Sequence, residues 1–418
     1  MQAIARIAIF AFIFTIPWEN MIVFPGFGTI SRLTGMVAFG FGLAAFFLKP
    51  QIRNLTAFHI VFLIFVMYSA NSYWWSLDPI TSMERINSYL QLVLFVWLLW
   101  QFVETEMHIL NCMQAYMIGA VVGSIGTIVA WMSGIQSDYL RYSAEGFDPN
   151  ELSVILAIAI PVAWYLSLRY SSFFLVWLNR SIIPLLWVAI LLTSSRTGLI
   201  VASVGTLFII VSLAQGSMGT KIAFAIVALA TVFIIPQLIP DSTWQRMGTV
   251  ESEIVSGTLG NRTMIWAAGI DIWFNNLAFG VGTGAFNAAA ILTHGFGATC
   301  HNTYLQILVE LGATGLMIFA GLMFVIWRKI QLLPVLERRL YLIVCAVLVL
   351  GISTLTWETK KPVWLLCSLI LSHAVVLAKR KDEESNETEI AEEPVSRRLL
   401  QVKSERPLLQ NPNGICNE

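Results

Sequence analysis

Runs of about twenty consecutive apolar residues recur along nearly the whole chain, and each is long enough to cross a bilayer as an α-helix. Inside a bilayer the backbone must satisfy its own N–H and C=O groups, which leaves helices or closed barrels. Barrel strands are short and alternate apolar with polar residues. These runs are continuously apolar. The composition agrees: 57% of residues are hydrophobic and 12% charged, against about a quarter charged in soluble chains. The expected fold class is all-α, a polytopic transmembrane bundle of about twelve helices with a long, partly helical outer loop.

The spans read as 3–18, 30–48, 56–72, 85–103, 109–132, 151–169, 173–193, 196–214, 221–238, 303–327, 339–355 and 363–378. The first run has no small-residue cleavage site and reads as a span, not a signal peptide. Four regions follow: helices 1–9 in 1–238, a large loop in 239–302, helices 10–12 in 303–378, and a polar tail, 379–418, expected to be disordered and cytoplasmic. Lys49, Arg53, Arg169, Arg180, Lys221, Arg328, Lys329, Arg338, Arg339 and Lys379–Lys381 fall on one side. The positive-inside rule makes that side cytoplasmic, with both termini. Arg85, Arg141, Arg196, Arg246, Arg262, Lys360 and Lys361 fall on the other. A loop of roughly sixty residues is long enough to be functional. This one carries Trp244, Trp266, Trp273, Phe274 and Phe286. Its stretch 262–275 reads as a short amphipathic helix at the membrane surface, ended by Gly280, Gly282 and Gly284.

Several chemistries are excluded by what the chain lacks. It has no GxxxxGK[ST] phosphate loop and no HExxH. No two aspartates stand two residues apart, and no metal or other cofactor is expected. Zero net charge argues against nucleic acid. The five cysteines form no CxxC pair, so neither a disulfide framework nor a zinc site is indicated.

The remaining candidates lie between the spans. His301 and Asn302 stand where the loop enters the tenth span. An imidazole there suits a general base near neutral pH, or a helix cap. Glu310, nine residues on, lies near the opposite helical face. A carboxylate that deep needs a partner. Gly312 and Gly315 suit close helix packing. Ser194-Ser-Arg-Thr-Gly198 puts Arg196 at the outer end of the eighth span. Gly260-Asn-Arg-Thr-Met-Ile-Trp266 puts Arg262 at the start of the loop helix. Guanidinium groups suit a diphosphate, but also snorkel at membrane interfaces. Trp75-Ser-Leu-Asp-Pro79 and Phe147-Asp-Pro-Asn150 are turn-rich. Arg141, Asn302, Tyr304 and Arg246 are candidate substrate contacts. Lys360 and Lys361 read as interfacial anchors.

The order SSRTG, GNRTMIW, GVGTGAF and HNTYLQILVELGATG, with WSLDP and FDPN before it, resembles the O-antigen ligase and polymerase family over about residues 75–316. The resemblance implies transfer of a glycan from a polyprenyl-diphosphate carrier to an acceptor hydroxyl, outside the bacterial cytoplasmic membrane and without ATP or metal. It maps diphosphate binding to Arg196 and Arg262 and catalysis to His301. Implied partners are the lipid-linked donor, a lipid A–core acceptor (ligase) or a growing glycan (polymerase), and the surrounding membrane lipids. A small-solute transporter would instead show repeated halves and midplane polar sites.

Overall fold

In a computed structural model the described residues are 1–48, 50, 52–137, 141–214 and 262–392 (side chains to 383), with a few isolated positions between 218 and 248. They are overwhelmingly helical: α1 (Gln2–Thr15), α2 (Ile30–Leu48), α3 (Ala57–Asn71), α4 (Pro79–Phe102), α5 (Glu106–Met132), α6 (Pro149–Arg169), α7 (Phe173–Leu192), α8 (Arg196–Leu213), α9 (Arg262–Phe274), α10 (Phe286–His294), α11 (Thr303–Gln331), α12 (Val335–Ile352) and α13 (Lys361–Glu392). The strands described are the two-residue pair Val23–Phe24 and Gly28–Thr29. Nine helical segments among the described residues are long and apolar enough to cross a membrane. α4 and α12, of 24 and 18 residues, are long enough too, but carry Glu84 and Arg85, and Glu337, Arg338 and Arg339, near one end. The chain is an all-α polytopic membrane protein, as its apolar runs imply. The expected ninth span, 221–238, and the first half of the large loop lie outside the described residues.

α6 is the axis of the bundle. Every residue from Leu152 to Ser167 is buried, as a helix that is apolar all round requires. α5, α7, α8 and α12 pack around it. α1 packs on α2 and α5, and α11 on α3, α9 and α12. At the end away from the motifs, Arg53 lies over the Trp100 ring at 3.6 Å and donates to the carbonyls of Trp100 and Val103. Arg169 there bridges Glu106 and Glu337, and the Tyr165 hydroxyl donates to Glu337.

Two expectations are corrected. The expected disordered tail begins at 379, but α13 continues to Glu392. Its polar stretch is rich in helix formers and has an i,i+4 pair, Lys379–Glu383 at 3.7 Å, which favours helix over coil. The described residues from Val375 onward belong to a second unit of the chain. The other correction concerns Gly312. It is not a packing glycine inside a continuous span: at φ 68°, ψ −172° it interrupts α11.

That break is filled by the glycine-rich loop. Val281 and Gly282 donate to the carbonyls of Val309 and Glu310 at 3.0 and 2.9 Å. Ala313 and Thr314 donate back to Leu277 and Ala278 at 2.9 and 3.3 Å. Backbone groups freed by the interruption are thus paired by another segment, as non-helical backbone at membrane depth demands. The loop's other flank meets the WSLDP turn. Leu77 donates to Val281, Ser82 Oγ donates to the Thr283 carbonyl at 2.5 Å, and Thr283 donates to Ser72 Oγ at 2.9 Å. Gly280 has φ +68°, and a Cβ on it would stand 2.5 Å from the Glu310 backbone. Gly280→Ala should therefore lose about 2–5 kcal/mol, from left-handed strain plus overpacking. Gly295→Ala, at φ +73° with open space around it, should lose only about 1–2 kcal/mol. Thermal unfolding of both purified variants checks the contrast, and equal losses would mean that the loop is not wedged against α11.

Candidate active site

Two Asp-Pro motifs build helix starts by the same device. Asp78 Oδ1 accepts from Thr81 N–H at 3.1 Å, and Asp148 Oδ1 from Asn150 and Glu151 N–H at 2.8 and 3.1 Å. Each is followed by proline at the first helical position, where no N–H is needed. The Asp148 cap starts α6 and fixes Asn150. Asn150 Oδ1 then accepts from Arg141 Nη1 at 3.2 Å and from Ser195 Oγ at 2.9 Å. Ser195 Oγ accepts from Gly198 N–H at 3.1 Å and caps α8, so Arg196 sits on the first turn of α8. One asparagine oxygen thus joins the FDPN motif, Arg141 and the SSRTG motif.

Arg262 opens α9. Trp266, one turn on, donates from Nε1 to the Cys300 carbonyl at 3.0 Å, tying α9 to the residue before His301. A small core of Ile272, Val281, Ala285, Phe286, Cys300 and Val309 holds α9, α10 and α11 together. His301 has φ 49°, a left-handed conformation uncommon outside glycine and typical of positions held by function or surrounding structure. The helix cap is Asn302, whose Oδ1 accepts from Leu305 N–H at 3.0 Å. His301 therefore does not cap α11. Its imidazole is half-buried, and burial first, then the Arg262 charge, hold its pKa below the ordinary histidine value, with Asp148 opposing. Burial also lowers the Arg262 pKa, and Asp148 again opposes. Asp148, Arg262 and His301 thus share one electrostatic neighbourhood. Among the described residues neither Arg262 nor His301 forms a hydrogen bond or ion pair.

The cations that the sequence places beside these motifs have a different use. Arg85 Nη1 meets Glu358 Oε1 at 2.7 Å, Lys360 Nζ meets Glu151 Oε1 at 2.5 Å, and Lys361 Nζ meets Glu19 Oε2 at 2.6 Å. Lys360 and Lys361 are therefore ion-paired clasps, not interfacial anchors. Burial alone would lower the Lys360 pKa, but Glu151, with Glu19 and Glu358 behind it, raises it overall, and the group stays charged. The connection between α12 and α13 is further pinned by Thr303, whose Oγ1 donates to the Leu355 carbonyl at 2.7 Å and accepts from Trp357 N–H at 2.9 Å.

Glu310 is buried but has partners. It accepts from Gly284 N–H at 2.8 Å and Phe286 N–H at 3.3 Å, and from Gln306 Nε2. It fastens the glycine loop and the start of α10 to α11, two residues before the break. A carboxylate alone at membrane depth was the available clue in the sequence; Asn150 and Ser195 carried none beyond their motifs. Of the candidate substrate contacts, Arg141 is 6% exposed and turned inward on Asn150 and Asp148. Asn302 spends its oxygen on the cap, and the Tyr304 hydroxyl donates to the Val349 carbonyl at 3.3 Å. Arg246 lies outside the described residues. Among the described residues no group of three or more His, Cys, Asp or Glu side chains is placed to hold a metal ion.

The described motifs therefore gather at one end of the bundle, on the first turns of α4, α6, α8, α9 and α11. The family model of the O-antigen ligase matches residues 181–320, a stretch containing Arg196, Arg262 and His301. Over that stretch the chain is similar to the O-antigen ligase family, in line with its motif order. No curated protein matches the chain.

Removing the Glu310 carboxylate tests the fastening. Glu310→Ala leaves two buried N–H groups unpaired and should cost about 3–5 kcal/mol, as does removing one partner from a buried charged group. Glu310→Gln keeps one acceptor and should lose less. Wild-type thermal stability in the alanine variant would show that the loop is held by other contacts.

Proposed function

We propose that the chain transfers a glycan from a polyprenyl-diphosphate-linked donor to an acceptor hydroxyl without a metal ion, and that it is an O-antigen ligase whose acceptor is lipid A–core. The family-model match over residues 181–320 supports glycan transfer of the ligase and polymerase kind. The observation that carries the residue roles is the meeting of Arg262, His301 and the α6–α8 cap network at one end of the bundle. Arg196 and Arg262 grip the diphosphate, Arg262 at the start of a helix that adds favourable partial charge. His301, neutral because its pKa is lowered, takes the acceptor's proton. The acceptor oxygen then forms its bond to the anomeric carbon as the bond to the diphosphate oxygen breaks. The electron pair leaves with the diphosphate, where the two guanidinium groups stabilise the growing charge. Direct displacement inverts the anomeric centre. The excess of basic residues at the opposite end supports placing this end in the periplasm, with both termini in the cytoplasm.

The same chemistry serves a polymerase, with a growing glycan as acceptor. Transfer in vitro from a defined lipid-diphosphate donor, offered lipid A–core and a carrier-linked glycan in parallel, separates the two. Product on the carrier-linked glycan alone would refute the ligase reading.

Arg262→Lys should insert normally yet lose about 2–4 kcal/mol of transition-state stabilisation, on the order of 10²–10³-fold in rate. A lysine variant with near-normal transfer would move the diphosphate site elsewhere.

The pH profile tests His301. A base must be unprotonated, so activity should persist as pH drops through the ordinary value of about 6.5 and fall only at lower pH, through the lowered pKa. His301→Gln and His301→Ala should both abolish transfer while donor binding persists. A fully active glutamine variant, or activity that falls as pH rises over about pH 5.5–8.5, would eliminate the base role.

A further inference from the structure

A cleft of about 330 Å³ opens between α1, α2 and α4, beside the start of α13, and neither Arg262 nor His301 lines it. Its floor is apolar, with Phe12, Phe39, Phe95 and Leu98, and its rim is polar, with Arg32, Ser88, Gln91 and Thr359. Met36 and Leu94 line it and are exposed on the flank of the bundle, so the floor is open sideways to the bilayer. The volume is near the lower end of the range of about 300–1,000 Å³ for ligand sites, which suits one hydrocarbon chain.

Charge at the rim narrows the occupant. Lys361 also lines the cleft but is neutralised by Glu19, which in addition accepts from Ser31 and Thr29. Arg85, which donates to Thr359 Oγ1 at 3.2 Å, is neutralised by Glu358. Lys360, next in sequence, is neutralised by Glu151. Arg32 is exposed and, among the described residues, has no hydrogen bond or ion pair. The rim therefore presents one uncompensated positive charge, with the Thr359 hydroxyl and the Gln91 amide beside it, at the head of an apolar slot; the Ser88 hydroxyl is spent on the Glu84 carbonyl. A diphosphate would bring more negative charge than this rim balances. A phosphodiester brings one.

We propose that the cleft binds an acidic phospholipid of the surrounding bilayer, one acyl chain lying on Phe12, Phe39, Phe95 and Leu98 and the phosphodiester on Arg32. The site is independent of the glycan-transfer reading. It places a lipid against the α12–α13 connection, whose Lys360 and Thr359 reach toward α6 and α4.

Native mass spectrometry of the full chain released from nanodiscs of equal phosphatidylglycerol and phosphatidylcholine tests this. The wild type should retain phosphatidylglycerol over phosphatidylcholine by about fivefold, the ~1 kcal/mol that one Lys or Arg contributes near an anionic membrane surface. Arg32→Gln should abolish the preference and Arg32→Lys should keep most of it. Phosphatidylglycerol with a photoreactive acyl chain should label α2 and α4, at Met36, Phe39 or Leu94. Equal retention of both lipids, an unchanged preference in Arg32→Gln, or labelling elsewhere would overturn the proposal and leave Arg32 as a snorkelling side chain. Stoichiometric displacement of phosphatidylglycerol by a polyprenyl diphosphate would also overturn it, by making the cleft a donor site.

Discussion

A carboxylate at membrane depth, Glu310, is the constraint on which the motif end of this protein depends. Buried charge is costly unless hydrogen-bonded, and here the hydrogen bonds come from the backbone of Gly284 and Phe286 and from Gln306. Satisfying that one group brings the glycine loop to α11. Gly312 then lets α11 break so that the loop can pair with its exposed carbonyls and amides. Neither feature is stable alone. The break would leave backbone groups unpaired without the loop, and the carboxylate would stand unpartnered without Gly284 and Phe286. Their mutual requirement couples α9, α10 and α11 into one body carrying Arg262 on one helix start and His301 just before another.

A second layer of constraint is the reuse of helix N-termini. α4, α6, α8 and α11 each begin with a side-chain cap, from Asp78, Asp148, Ser195 and Asn302. Each cap consumes donors that would otherwise remain unsatisfied. Because these starts lie at the same end, their positive partial charges accumulate there. Carboxylates answer part of that charge: Glu358, Glu151 and Glu19 take Arg85, Lys360 and Lys361. Arg262 is left without such a partner among the described residues, and under the proposed function its counter-charge is the diphosphate.

Much of this was legible in the sequence, for a physical reason. A bilayer forces each span to be a continuous apolar run, so α2, α6, α7 and α8 appear within a few residues of their expected bounds. The helix over Arg262–Phe274 matches the short helix expected over 262–275. What was hidden depends on contacts between distant segments. Gly312 has the same appearance in sequence whether it permits packing or breaks a helix; the difference is the loop that meets it. α10 was missed because nine residues, Phe286–His294, are too short a segment for periodicity to announce a helix. Lys360 and Lys361 resembled interfacial anchors because their partners, Glu151 and Glu19, lie hundreds of residues away in the chain. Asp382 to Glu392 looked too polar to fold, yet helix propensity and local charge pairing do not need a core.

The position of His301 links these layers. It lies between Cys300, whose carbonyl takes the Trp266 indole, and Asn302, whose side chain caps α11. Both neighbours are fixed, and His301 between them is left-handed, at φ 49°. The flanking hydrogen bonds therefore set the backbone of His301 and the direction in which its side chain leaves it. That is the preorganisation a group needs if it is to meet an acceptor's proton without rearranging. The same fixed position keeps the imidazole half-buried and within reach of the Arg262 field, the two causes that lower its pKa. Orientation and protonation state of the candidate base therefore share one origin in the anchoring of α9 to the start of α11.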